Sequence, residues 1–216
     1  MKTFFIEAKA SIDKVNFETK TLPKKIGIVT TIQYLQDMKK VSDFLWKKDI
    51  KAVVAGQVLG CDASAAAKIK DDVDAFLYVG TGEFHPIGVA LKTNKQVFKL
   101  HPESMVVTKV NEEDIDRIMK KKRAMLLKFH SSDTIGVLMT TKKGQKTVQC
   151  GLEELEKTEK KFKDKRFYHF IADTLNFPEL ENFNFIQCWV NTMCPRMMED
   201  INVLNIEDLN NIHEIR

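Results

Sequence analysis

The chain has 216 residues, 44% of them apolar, with 34 Lys and Arg against 30 Asp and Glu for a formal charge of +4. That length and apolar content suit one large or two small globular domains with a substantial core and exclude a disordered chain. The weak net charge gives no support for a nucleic-acid partner, whose binders usually concentrate Lys and Arg.

The opening Met1-Lys2-Thr3-Phe4-Phe5-Ile6 starts like a signal peptide, but Glu7 and Lys9 interrupt it before an apolar core forms. No apolar run approaches the roughly 20 residues of a membrane span. The expectation is a soluble, cytoplasmic protein without a membrane partner. Thr3-Phe4-Phe5-Ile6-Glu7-Ala8 has strand composition yet no partner strand nearby, so residues 1–21 are set apart as an N-terminal extension.

Ile26-Gly27-Ile28-Val29 then reads as a buried strand, and Tyr34, Met38, Val41 and Leu45 recur at helical spacing behind it. Ala52-Val53-Val54, Ala75-Phe76-Leu77-Tyr78-Val79 and Val97-Phe98-Lys99-Leu100 continue as strands. After them the pattern restarts. Ile115, Ile118, Met125 and Phe129 mark a helix, on which Lys120-Lys121-Lys122-Arg123 reads as a solvated face. Ile135-Gly136-Val137-Leu138-Met139 is a strand, and Val148, Leu152, Leu155 and Phe162 form the apolar stripe of the next helix. Phe167-Tyr168-His169-Phe170-Ile171, Phe185-Ile186-Gln187-Cys188-Trp189-Val190 and a short Val203-Leu204 complete the series.

The halves match. Ile26-Gly27-Ile28-Val29-Thr30-Thr31 corresponds to Ile135-Gly136-Val137-Leu138-Met139-Thr140-Thr141, and Tyr78-Val79-Gly80-Thr81 to Trp189-Val190-Asn191-Thr192. Strands alternating with helices predict parallel sheets. The fold class is therefore α/β, two repeats of a small Rossmann-like unit with flanking helices, divided as residues 22–104 and 105–216.

Ligands of open parallel sheets sit beyond the carboxyl ends of the strands. Gly80-Thr81-Gly82 begins like a dinucleotide fingerprint, but His85 stands where the third glycine belongs. Thr141-Lys142-Lys143-Gly144-Gln145-Lys146 has P-loop composition, but Met139 replaces the first glycine and Gln145 separates Gly144 from Lys146. Both motifs are rejected. What remains is glycine backbone open to close approach and a lysine suited to an anion.

Four cysteines in such a chain are buried thiols or metal ligands rather than a disulfide scaffold. Cys188 lies within a strand and reads as core. Cys61 and Cys194 each follow a strand, one per repeat, where two ligands can converge, although buried thiols are the commoner case. Cys150 opens a helix and reads as structural. His85 is a candidate by position; His101, His130, His169 and His213 have no metal-like spacing, and no acid-base or hydrolytic set is evident.

Gly56-Gln57-Val58-Leu59-Gly60-Cys61, Phe76-Leu77-Tyr78-Val79-Gly80-Thr81-Gly82-Glu83-Phe84-His85-Pro86, Thr140-Thr141-Lys142-Lys143-Gly144-Gln145 and Trp189-Val190-Asn191-Thr192-Met193-Cys194-Pro195-Arg196 together resemble the archaeal diphthamide-synthesis enzymes, the 2-(3-amino-3-carboxypropyl)histidine synthases. The resemblance runs from about Phe4 to about Leu209. It implies three related domains, each giving one cysteine to a 4Fe-4S cluster whose fourth iron contacts S-adenosylmethionine. It also implies a 3-amino-3-carboxypropyl radical that adds to the imidazole C2 of a histidine in translation elongation factor 2.

By the same resemblance Cys61 and Cys194 are cluster ligands, and Gly80, Gly82, His85, Thr141, Lys143, Gly144 and Gln145 line the S-adenosylmethionine pocket, with Arg196 in the Cys-Pro-Arg motif assigned beside them. No residue is assigned a catalytic role. The first domain and its cysteine have no counterpart here, and the N-terminal extension resembles that domain's last strand. A separate first-domain polypeptide or a homo-oligomer, recruiting Cys150 in one version, would then complete the site. The alternative is a non-catalytic partner that binds elongation factor 2 without its own cluster.

Overall fold

The computed structural model describes residues 6, 8–59, 62–141, 148–195 and 201–210, with backbone alone for 148–151 and 210. The chain divides into two compact units, residues 1–115 and 116–216. The strand composition noted for residues 3–8 falls largely outside the described residues.

In the first unit, β1 (Lys25–Thr30) is followed by a 3-10 turn and α1 (Met38–Trp46), then β2 (Lys51–Gln57), α2 (Ser64–Ala67), β3 (Ala75–Val79), α3 (Phe84–Thr93), β4 (Gln96–Leu100) and β5 (Val107–Lys109). The sheet order is β2-β1-β3-β4-β5, parallel except for β5, which runs antiparallel to β4. β3 is buried along its whole length, as expected of a central parallel strand covered on both faces. Met38, Val41 and Leu45 of α1 pack with Ile26, Ile28 and Leu77 in the core. Residues 8–22 cross this core without regular structure. Ile12, Phe17 and Leu22 join it, and the Ile12 N–H donates to Asp37 Oδ2 at 2.7 Å.

The second unit repeats the pattern with α4 (Glu112–His130), whose first turn falls at the division, β6 (Thr134–Thr140), α5 (Val148–Lys161), β7 (Arg166–Ala172), β8 (Cys188–Asn191), β9 (Leu204–Asn205) and α6 (Ile206–Asn210). Its sheet order is β7-β6-β8-β9, all parallel. Replacing each strand by its counterpart gives β2-β1-β3-β4, so the repeat seen in the sequence is a repeat of topology.

Three expectations are corrected. β5 is an antiparallel strand of three residues, too short and too exposed to show a periodic pattern. The stretch before Cys188 is not strand: the Ile186 N–H turns back to the Phe183 carbonyl, and Gln187 Oε1 accepts the N–H groups of Asp133 and Thr134 at 2.7 and 3.1 Å. The basic run on α4 is not wholly solvated, because Lys122 reaches Asp208 Oδ1 at 2.7 Å.

Candidate functional site

The carboxyl edge of the first sheet is tied together by side chains. Thr30 Oγ1 at the end of β1 donates to the Val79 carbonyl at 2.7 Å. β2 carries a bulge opposite Ile28 and Val29, where Gly56 adopts φ +121°, and the Val58 N–H then returns to the Thr30 carbonyl at 2.7 Å. Leu59 and Asp62 exchange two backbone hydrogen bonds of 3.1 and 2.9 Å on either side of positions 60–61. The Asp62 carboxylate accepts the Ser64 N–H at 2.9 Å, and this bond holds its carboxyl below the usual carboxylate range.

β3 delivers Gly80, at φ +155°. A Cβ there would lie 2.5 Å from the Tyr78 hydroxyl, so glycine is required for Tyr78 to occupy its place. Gly82 has φ +78° with open space around it. Burial pushes the Tyr78 phenol up to about 12, which keeps it a neutral donor to the Thr81 carbonyl at 3.4 Å. His85 and Pro86 lie in the first turn of α3 rather than in a loop, a position that tolerates proline because its missing N–H has no helical partner. The half-buried His85 ring stacks on Tyr78 at 5.9 Å and meets Phe84 edge-on at 5.2 Å. Glu83, just before the helix, pairs with Lys99 of β4.

In the second unit β6 ends at Thr140, whose Oγ1 donates to the Asp173 carbonyl at 3.1 Å, and Thr141 follows, exposed. β8 ends at Asn191, and the Thr192 hydroxyl bonds back to the Leu138 carbonyl at 2.9 Å. Asn191 Nδ2 donates to the Cys194 carbonyl at 2.9 Å and to Asn205 Oδ1 at 2.8 Å; Asn191 Oδ1 accepts the Met193 N–H at 3.0 Å. Asn205 Nδ2 donates to the Pro195 carbonyl at 2.7 Å. Cys194 is half-buried and outside any disulfide. Cys188 is fully buried, and burial pushes its thiol up to about 11, as suits an inert core residue.

Gly80, Gly82 and His85 thus stand at the carboxyl edge of one sheet, and Thr141 and Cys194 at that of the other. Cys61, Lys143, Gly144, Gln145 and Arg196 lie outside the described residues, and Cys150 is described by backbone alone. Among the described residues no three His, Cys, Asp or Glu side chains gather as a metal site. Cys194 nonetheless has the character of an iron-sulfur ligand: a soft sulfur donor, partly accessible, on a tightly held turn. Asn191, Asn205 and Tyr78 escaped the sequence reading. Asn191 stood inside a quoted motif, whereas nothing in the sequence links it to Asn205, fourteen positions on.

Residues 1–202 match the family model described as "Putative diphthamide synthesis protein". The 2-(3-amino-3-carboxypropyl)histidine synthase of Pyrococcus horikoshii is 28% identical over 213 residues, an alignment covering 92% of this chain and 60% of the relative. The enzyme of the same name from Methanocaldococcus jannaschii is 31% identical over 202 residues, covering 92% of this chain and 53% of the relative. The crystal structure of Dph2 from Pyrococcus horikoshii with a 4Fe-4S cluster is similar with a TM-score of 0.72 at 27% identity, covering 91% of this chain and 59% of that one. The chain spans between half and two thirds of the length of these relatives. Among the described residues no helix is long and apolar enough to cross a membrane.

Proposed function

The chain belongs to the diphthamide synthesis protein family, and we propose that it is a subunit or part of a 2-(3-amino-3-carboxypropyl)histidine synthase acting on a histidine of translation elongation factor 2. The observation that carries this reading is Cys194, half-buried on a turn held by two buried asparagines, in a chain similar over 91% of its length to a protein crystallised with a 4Fe-4S cluster. Cys61 and Cys194 would hold such a cluster, with the third thiolate coming from outside this span.

Bound by these thiolates, a reduced cluster would supply the electron for breaking the sulfonium carbon–sulfur bond of S-adenosylmethionine. The chain's own residues bind and orient. Gly80 and Gly82 would admit the methionine moiety close to backbone, and Thr141, Gly144 and Gln145 are proposed to contact the same ligand. Lys143 and Arg196 supply positive charge for the carboxylate. His85, backed by Tyr78, presents a flat wall to the pocket. The reaction would join the 3-amino-3-carboxypropyl carbon to imidazole C2 in place of its hydrogen, which leaves as a proton as the electron supplied for the cleavage is returned, and would release methylthioadenosine. Cytoplasmic elongation factor 2 is the protein substrate in this reading.

The test is transfer of label from the aminocarboxypropyl group of S-adenosylmethionine to elongation factor 2 by the reduced, reconstituted complex. Label retained on the factor and lost when its target histidine is replaced supports the assignment; no transfer by an iron-loaded complex contradicts it. A second reading is a non-catalytic partner subunit that binds the factor without a cluster. Co-purification with elongation factor 2 in the absence of iron would select it.

A further inference from the structure

Asn191 and Asn205 are Cα partners on the last rung between β8 and β9, and their exposures are 1% and 3%. Both N–H groups of the Asn191 amide are taken, by the Cys194 carbonyl and by Asn205 Oδ1, while its oxygen takes the Met193 N–H. The Asn205 amide extends the chain to the Pro195 carbonyl. Each of the three consecutive residues Met193, Cys194 and Pro195 therefore has one backbone group fixed by this pair. A flipped Asn191 amide would set NH2 against N–H and oxygen against two acceptors, so the network admits one orientation.

A buried polar pair is costly unless fully satisfied, and two apolar residues would serve the rung as well if packing were the whole task. The first unit makes the contrast. Its corresponding rung, set by Phe76 across Gly27 as Trp189 is across Gly136, carries Tyr78 and Lys99 with no amide pair, and the loop that follows bears no cysteine.

We infer that Asn191 and Asn205 are positioning residues for Cys194, holding the backbone of its turn so that the thiol is presented for cluster ligation. The inference rests on the proposed function for the ligand's identity, while the clamp itself is testable without iron.

The experiment compares the full-length chain with Asn205→Leu and the milder Asn205→Asp, which keeps the acceptor for Asn191 and loses the bond to Pro195. Anaerobic iodoacetamide alkylation is followed on the separate Cys194 and Cys188 peptides by mass spectrometry, and iron content is measured after reconstitution together with a polypeptide carrying the family's first, cysteine-bearing domain. The expected result is an alkylation rate at Cys194 changed by about fivefold or more, the effect of losing one buried hydrogen bond, with Cys188 still protected and iron loading reduced. A Cys194 rate unchanged in both variants overturns the clamp. So does loss of Cys188 protection in both, which would make the pair a support of the whole sheet. A wild-type chain that never loads iron, while the Cys194 rates still differ, overturns the cluster reading and leaves the clamp standing.

Discussion

Trp189 of β8 lies across Gly136 of β6: the two are register partners, and a Cβ on Gly136 would fall 2.4 Å from Cε3 and Cζ3 of the indole. The first unit repeats the device with Phe76 across its register partner Gly27, where a Cβ would fall 2.6 Å from the ring. Each glycine is the only residue that leaves the facing aromatic ring in place over a parallel sheet. Gly136→Ala is expected to lower stability by about 1–3 kcal/mol, the usual cost of forcing an extra group into a packed core. Urea unfolding followed by Trp189 fluorescence would show this as a lower midpoint at unchanged slope, and an unchanged midpoint would refute it.

Gly80 and Gly82 differ in a way that separates strain from occupancy. Both have positive φ, but a side chain at Gly80 meets the Tyr78 hydroxyl and one at Gly82 meets nothing. Gly80→Ala is expected to displace Tyr78 and His85 and to weaken S-adenosylmethionine binding by about tenfold or more beyond Gly82→Ala, which leaves the aromatic pair in place and adds to crowding of the ligand only the backbone penalty of about 1–2 kcal/mol. Calorimetric titration of the reconstituted complex reads both. Equal losses in the two variants would contradict the role given to the Tyr78 contact.

Asp37 anchors the N-terminal segment. Burial opposes its ionisation, but the Lys40 ammonium at 2.7 Å and the Ile12 N–H outweigh it and hold its carboxyl below the usual range. A carboxyl with a depressed folded-state pKa contributes stability above its unfolded value, near ~4, and loses it as pH falls through the lower folded value. Below about pH 4 the wild-type chain should therefore lose stability faster than Asp37→Asn, which has no carboxyl to protonate. Unfolding midpoints measured from pH 6 downward test this, and parallel curves for the two proteins would exclude Asp37 as a contributor.

The elements legible in the sequence were those buried on both faces. Ile26-Gly27-Ile28-Val29 and Ile135-Gly136-Val137-Leu138-Met139 are continuous apolar runs because both faces of β1 and β6 are buried. α3 was hidden by Pro86, which marks a loop in sequence but occupies a first helical turn in the structure. Strand composition also placed the start of β8 too early, since Phe183 and Phe185 pack into an aromatic cluster with Phe170 and Trp189 or Tyr168 instead of extending the strand. Of the candidate site, spacing alone reached the carboxyl edges and the two loop cysteines, and a role for them came from family resemblance. Asn205 was not legible at all, because its partnership with Asn191 exists only once β8 and β9 are side by side.

The measurement that bears most directly on the central claim is anaerobic iron and sulfide analysis of the chain, alone and co-expressed with a polypeptide carrying the family's first, cysteine-bearing domain. Wild type, Cys61→Ala, Cys194→Ala and Cys188→Ala are compared. The account predicts about four irons per complex in the co-expressed wild type and in Cys188→Ala, whose thiol is sealed in the core, with strong loss in the other two variants. Iron content unaffected by Cys61→Ala and Cys194→Ala, or no iron in any sample, would contradict it.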